Sequence, residues 1–384
     1  VTNGDRHIPW QQAWQQALYG PGGFYLRPEG PAGHFRTACH AGAAVLAPAL
    51  HRLATEAGCT TIVDLGAGRG ELLTALAALA PDTAEPLALP DDLPADLFVT
   101  STPAAPAGTP ADTPAAPAGT PDQGGSGPAL RLHGVDLVTR PDGLPDRVRW
   151  SCGLDALPDE VLDGALVVAW ELLDVVPIPI AGVDADGTVR MLSVDPVTGD
   201  EKPGQPLTAV EYAWSARWWP AVGAAPGTRI EIGAPRDALW AGLVKRVGRT
   251  SRGGLLLAVD YTHDTGRRPP GGSLSGFRNG RAVPPIPNGS CDLTSHVALD
   301  AVTEAGRRAG ATSTLVLRQR QALRALGAVI TPGDLASARA AGTDALLAQL
   351  ELRSQLQELL DESGLGGFQW LLQGVRRPVP TLLH

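Results

Sequence analysis

Paired cysteines are missing from this chain of 384 residues. Cys39, Cys59, Cys152 and Cys291 stand far apart without a CxxC spacing, which excludes a disulfide framework and a thiolate zinc site and leaves reduced, part-buried thiols. Long hydrophobic runs are missing too. The apolar fraction is 43%, yet no run approaches the roughly 18 residues that a membrane-spanning helix needs, so no membrane insertion is expected. Lysine is scarce, occurring only at Lys202 and Lys245, and the formal net charge is -9. A nucleic-acid partner is thereby disfavoured, because phosphate binding depends on clustered cations. Little lysine beside abundant Ala, Gly, Pro and Arg matches codon supply in a GC-rich bacterial genome. The first residues, Val1 to Asp5, carry no basic stretch followed by an apolar core, so no secretory signal is expected there and a cytoplasmic location is.

What is present is an alternation of short apolar runs with helical patterns. Thr60 to Leu65 reads as a buried strand and Glu71 to Ala80 as the helix behind it. Further strands are expected at Leu130 to Val135, Val148 to Trp150, Ala165 to Trp170 and Gly254 to Tyr261. Ser313 to Leu317 and Phe368 to Val375 could close the sheet, with a Leu-rich helical stretch from about Asp334 to Glu362 between them. Strands separated by helices predict a doubly wound α/β fold with a mainly parallel sheet of seven strands. From about Glu85 to Pro128 the pattern breaks into Pro, Ala, Gly and Thr, with TPAAPAG at Thr102 and again at Thr113. Such a tract offers little area to offset ordering entropy and is expected to be a solvated surface insertion. The organisation is therefore an N-terminal cover over 1–55, a cofactor-binding core over 56–180 carrying that insertion, a second insertion over 181–250, and the rest of the core over 251–384.

Asp64-Leu65-Gly66-Ala67-Gly68-Arg69-Gly70-Glu71 closes the first strand and opens the first helix. Ligands of doubly wound sheets sit at that edge, and glycines let the backbone approach them without a Cβ clash. A dinucleotide loop would place its third glycine at position 71, which is Glu71. The spacing is GxGxG instead, and Asp64 offers a carboxylate to the ammonium of an amino-acid-like ligand, which suits S-adenosylmethionine better than a pyrophosphate. At the end of the second strand, Gly134-Val135-Asp136 puts a carboxylate where it can accept two ribose hydroxyls. Deleting the tract of about 44 residues restores the interval of about 20 expected between loop and acid. Gly153-Leu154-Asp155 could flank the adenine, or Asp155 could cap a helix.

Six segments occur in an order that resembles the MidA-like class I methyltransferases. They are Tyr19-Gly20-Pro21-Gly22-Gly23-Phe24-Tyr25, Gly33-His34-Phe35-Arg36-Thr37-Ala38, Asp64 to Gly70, Trp170-Glu171-Leu172-Leu173-Asp174-Val175-Val176-Pro177, Val259-Asp260-Tyr261 and Asp292-Leu293-Thr294-Ser295-His296-Val297. That family includes the mitochondrial complex I assembly factor that methylates an arginine of a respiratory subunit. The resemblance implies a Rossmann-like sheet with an N-terminal helical cover and an insertion between the fourth and fifth strands. It also implies an arginine-methyltransferase site, with Glu171 and Asp174 gripping a guanidinium by bidentate hydrogen bonds and Asp260 and Tyr261 lining the same pocket. Phe35, Arg36, Thr37, His40, Pro177, Asp292, Thr294 and His296 would stand on the acceptor side, and Trp170 beside the cofactor. The alternatives are ordinary: Glu171 capping a backbone turn, Asp174 ordering the loop before Pro177, and the Asp292 to Thr294 turn with His296 acting as a helix N-cap.

The chain departs from the family in places. Where members carry GDF and Pro-Glu, this chain has His34 and Cys39-His40, so two carboxylates are gone from the cover. Trp170 stands where Asn or His is common. His34 and His40 could serve as a proton acceptor or a neutral hydrogen-bonding pair. No third ligand at a recognisable spacing accompanies them, so no metal is expected. Trp214, Trp218 and Trp219 read as core first and a partner-docking patch second; the Leu-rich C-terminal stretch reads as core before a homodimer seam. Two further readings compete with methyl transfer to a protein side chain: a noncatalytic assembly factor that keeps the fold and docks a partner, and a nicotinamide-linked oxidoreductase, against which Glu71 speaks.

Overall fold

The computed structural model describes residues 6–27, 37–79 and 130–384; the Pro/Ala tract and His34, Phe35 and Arg36 lie outside them. Seven strands form the main sheet in the order Ser313–Arg318, Gln369–Val375, Gly254–Asp260, Ala165–Trp170, Thr61–Leu65, Arg131–Asp136, Val148–Cys152. Only Gln369–Val375 runs antiparallel to its neighbours. The central strands are buried on both faces, so they read as continuous apolar runs: every residue of Ala165–Trp170 and of Gly254–Asp260 is buried. The strands on either side of the Pro/Ala tract are parallel neighbours, Asp64 pairing with Gly134. The tract therefore interrupts one strand-helix-strand crossover of the sheet.

Helices cover both faces. Ala38–Glu56, Glu71–Ala78, Gln319–Ala325 and Thr343–Leu360 supply one apolar layer, in which Leu46, Leu50, Leu53, Leu73 and Leu323 meet Ile62, Leu166 and Trp370. Ala234–Arg249 and Leu299–Ala309 supply the other, where Trp240, Leu243, Val244 and Val247 meet Val167, Leu256 and Leu371. A buried polar contact pins this layer, Trp240 Nε1 donating to Gln373 Oε1 at 2.7 Å. The Leu-rich stretch is two helices, Pro332–Ala341 and Thr343–Leu360, broken at Gly342 with φ +119°. An L residue seldom adopts that conformation.

The excursion between the fourth and fifth strands divides. Its first part builds a second, antiparallel sheet in the order Ile8–Pro9, Val189–Val194, Ile180–Val183, Arg229–Glu231, with Glu201–Pro206 added to Val189–Val194. Its last part, Ala234–Arg249, is a core crossover helix. The N-terminal strand thus stitches the cover to this second sheet, and Trp10–Tyr19 continues from it as a helix. Trp214 and Trp219 are buried beneath it with Ile230 and Ile232. Among the described residues no helix is long and apolar enough to cross a membrane.

Candidate functional site

The first strand ends at Leu65, and the chain turns through three glycines with positive φ: Gly66 at +71°, Gly68 at +56° and Gly70 at +79°. Each angle lies in the left-handed region, which explains the residue choice. The turn is fixed by Gly66 N–H and Ala67 N–H donating to Val135 O at 2.8 and 3.2 Å, and by Gly70 N–H donating to Ala67 O at 2.8 Å. A Cβ on Gly66 would meet Leu172 at 2.9 Å and one on Gly70 would meet Leu144 at 2.5 Å, so those two glycines are needed for packing. A Cβ on Gly68 would come no nearer to a neighbour than Glu71 Oε2 at 4.0 Å. Open space therefore lies over the middle of the loop.

Two aspartates flank that space. Asp136, at the tip of the neighbouring strand, accepts Gly68 N–H on Oδ2 at 2.9 Å and Val138 N–H on Oδ1 at 3.2 Å. A carboxylate has about four acceptor sites, so two amides leave capacity for hydroxyls. Asp64 is buried, and burial together with Asp136 and Glu71 pushes its carboxyl up to about 8. A cation beside it would reverse that shift. The loop fits an aminocarboxypropyl group: its backbone is open at Gly68, an acid with no compensating cation among the described residues stands at its base, and a second acid stands on the ribose side.

Gly153, with φ +84°, donates its N–H to Asp136 O at 2.7 Å and so extends the same edge. Asp155 is exposed inside a short 3-10 turn, Leu154–Ala156, whose capping position is Gly153. The reading of Asp155 as a helix cap is thus overturned. Trp170 is buried edge-on to Trp370 at 5.4 Å between ring centres, and its Nε1 has no hydrogen-bond partner among the described residues.

The reactive edge gathers residues far apart in sequence. Glu171 leaves the strand with φ +48°, rare for a residue with a side chain, and its Oε1 accepts the N–H of Ala38 at 2.8 Å. It therefore caps one orphan amide, that of Ala38, at the start of the helix Ala38–Glu56, beside the Thr37 side chain that accepts His40 N–H. Burial, opposed by that amide and reinforced by Asp174 and Asp292, pushes Glu171 up to about 8. Asp174 and Asp260 are fully enclosed against each other, and burial raises both. Asp260 Oδ2 accepts Leu173 N–H at 3.1 Å, while Oδ1 of each acid has no partner among the described residues. Two such carboxyls hydrogen-bond to each other only when one holds a proton, which burial favours. Asp292 is buried against Tyr25, with its carboxyl pushed up to about 7 by burial and Asp174.

One buried cation knits these loops. Arg236, 1% exposed, donates to the backbone oxygens of Asp174, Val176, Ser295 and His296 and to Ser295 Oγ. Its sequence context, a single Arg in the first turn of a helix, gave no hint of this. The N-terminal cover adds Trp14 Nε1 donating to Leu293 O and Tyr19 Oη to Val175 O, both at 3.1 Å. Gln11 Nε2 donates to Pro177 O at 3.2 Å, fixing the exit of the same loop.

Asp292–Thr294 is a strand paired with Ser275–Arg278, and the following helix starts at Leu299 with Ala298 as its cap. The helix-cap reading of Asp292, Thr294 and His296 is overturned, because the chain stays extended through that turn. His296 is exposed and stacks on Tyr261, ring centres 5.9 Å apart. His40 points back to the cofactor side, with Nε2 2.9 Å from Glu71 Oε1. Among the described residues no group of three His, Cys, Asp or Glu side chains is placed to hold a metal.

Comparison with known proteins bears on the edge just described. Residues 127–317 match the family described as "Putative S-adenosyl-L-methionine-dependent methyltransferase". A crystal structure of a COG1565 superfamily member from Burkholderia thailandensis, bound to S-adenosyl-homocysteine, is 25% identical and superposes with a TM-score of 0.65 over 96% of this chain and 88% of that one. A native structure of a COG1565 superfamily protein from the same organism is 24% identical, with the same TM-score and coverage. No curated protein matches in sequence.

Proposed function

We propose that this S-adenosylmethionine-dependent methyltransferase, of the class I fold, is a MidA-like enzyme that methylates the guanidinium of an arginine in a partner protein of the bacterial cytoplasm. The observation that carries the proposal is the gathering of Glu171, Asp174, Asp260 and Asp292 at one edge of the sheet, each with its pKa raised by burial. Arg236 offsets the burial of Asp174 and Asp260 only in part, so a further cation would be favoured there, and a guanidinium with its fork of donors matches such carboxyls.

Asp64 would take the ammonium, the loop Gly66 to Gly70 the carboxypropyl backbone and Asp136 the ribose, with Gly153 to Asp155 beside the adenine and Trp170 walling the pocket. When bound, the cofactor supplies a methyl group on a sulfonium, which leaves as a thioether. In-line transfer to an acceptor nitrogen would release one proton from that nitrogen. Glu171, its pKa near the working pH, is suited to take it, while Asp174 and Asp260 hold the guanidinium in place. Incubating the purified protein with methyl-labelled S-adenosylmethionine and an extract of cells lacking it tests this. Label recovered as methylarginine after hydrolysis is expected. Label on another residue overturns the arginine assignment, and cofactor binding without any label favours a docking factor instead.

A further inference from the structure

The main sheet has an open lateral strand. Ser313–Arg318 pairs on one side only, with Gln369–Val375. Antiparallel pairing alternates, so Leu315 and Leu317, opposite Leu372 and Trp370, direct their backbone groups at that neighbour, in phase with Gln319 N–H donating to Phe368 O at 2.8 Å. Thr314 and Val316 turn their N–H and C=O outward, and those groups have no hydrogen-bond partner among the described residues. Arg318 also faces out, but its N–H donates to Gln321 Oε1 at 3.0 Å. Val316 is 42% exposed, and Leu315 and Leu317 are half-buried. Sheets ordinarily refuse a further strand by placing lysine, proline or a bulge at such a position, and Ser313 to Leu317 holds none of these.

This strand leads toward the acids. It runs in the same direction as Gly254–Asp260, both being antiparallel to Gln369–Val375, so its C-terminal end stands at the edge of the sheet that carries Asp260. An open cleft of about 930 Å³ joins the two, lined by Val316 and Gln369 at the strand and by Thr262 and His296 beside the acids. His296 stacks on Tyr261, the residue after Asp260. The cleft walls hold both signs of charge, largely paired: Asp300 with Arg268, Glu304 with Arg217 and Arg308, Asp264 with Arg267. Such walls do not select by charge, and what they leave to a ligand is main-chain pairing at the strand. We propose that the acceptor protein adds an extended segment here as an eighth strand, paired with the backbone of Thr314 and Val316, and continues along the cleft to the side chain that is methylated. The added strand lies about three strand spacings of ~4.8 Å from Gly254–Asp260, a gap that about four or five extended residues span. The inference rests on the acceptor being a protein. It makes a nearby β-forming segment the specificity signal, while the carboxylate pocket selects the cation that is modified.

The test uses the full chain and fluorescent peptides in which a hexamer of Thr and Val stands about five residues from one arginine, on either side, read by anisotropy with S-adenosylhomocysteine present. They should bind about tenfold more tightly than peptides with Gly and Ser in place of the hexamer. Methylating the hexamer's peptide nitrogens one at a time should weaken binding at every second position and not between, the period of a paired strand. Val316→Pro removes the outward N–H and leaves the bonds of Leu315 and Leu317 to Gln369–Val375 in place. It should lower peptide affinity about three- to tenfold, the net worth of one hydrogen bond, with S-adenosylhomocysteine binding unchanged. Should that variant fail to fold, Val316→Lys at the same exposed position carries the test, with a similar loss expected. Affinity indifferent to nitrogen methylation or to these substitutions overturns the assignment. So does a chain that sediments as a dimer, dissolved by Val316→Pro, and leaves the peptides unbound, which gives the strand to a second copy. Label transferred equally to hexamer and Gly/Ser peptides refutes the strand alone; alternating binding without label refutes the transfer reading alone.

Discussion

The glycine turn and the acid edge are neighbours built in opposite ways. The turn is local: Asp64 to Glu71 is one continuous segment whose hydrogen bonds run to the adjacent strand. The acid edge draws Glu171 and Asp174, Asp260, and Asp292 from three separate segments and depends on Arg236 and on Trp14 and Tyr19 of the cover. A site made of one segment tolerates distant change, whereas one made of many loops is only as fixed as the groups tying them together.

Substitutions can break that contrast, and the largest effect is expected at the tie. Arg236→Met removes donors from four backbone oxygens and the cation between buried acids, at a cost of about 3–5 kcal/mol of stability. Chemical denaturation measures it, and a midpoint near that of the parent chain would show that the loops do not need the arginine. Next, Glu171→Gln keeps the acceptor for Ala38 N–H but not the base, so transfer should fall about 100-fold with cofactor affinity unchanged. Equal losses in both would merge the two regions into one. Asp64→Asn should do the reverse, weakening S-adenosylhomocysteine about tenfold in titration calorimetry, as the loss of a charge-assisted contact would. Retained affinity would remove Asp64 from the cofactor side.

The smallest effect is in pH. Asp64 and Glu171 are pushed up to about 8 and Asp292 to about 7, so the folded chain holds protons that unfolded carboxyls release near 4. Their stabilising protonation is complete at low pH and is lost as pH rises through the folded values. His263, down at about 4, acts in the opposite sense only below the unfolded histidine value of about 6.5. Thermal unfolding temperature should therefore decline between about pH 6.5 and 8. S-adenosylhomocysteine should flatten the decline, because its ammonium would hold Asp64 ionised. A curve that rises across that window would contradict the burial of these acids.

The seven strands were legible within a residue or two, because strands buried on both faces must be continuous apolar runs bounded by turn residues. The break at Gly342 inside the Leu-rich stretch was missed, since one glycine in a helical pattern is usually tolerated. Residues 181–250 looked uniform in sequence but contribute both a second sheet and the core helix Ala234–Arg249. Its apolar stripe is core only because the main sheet lies beneath it. Asp292 to Thr294 carried capping residue types yet forms a strand, its pairing with Ser275–Arg278 prevailing over local preference.

The sequence alone determined the strand-to-helix glycine turn, the acid beyond it and the alternation that makes a doubly wound sheet, because each depends on backbone torsion or residue period within a few positions. The tertiary structure decided that Glu171 caps a helix over a hundred residues before it and that one arginine holds the carboxylate loops. Those outcomes are contacts between chain segments, and burial, which sets their energies, exists only once the chain has closed around them.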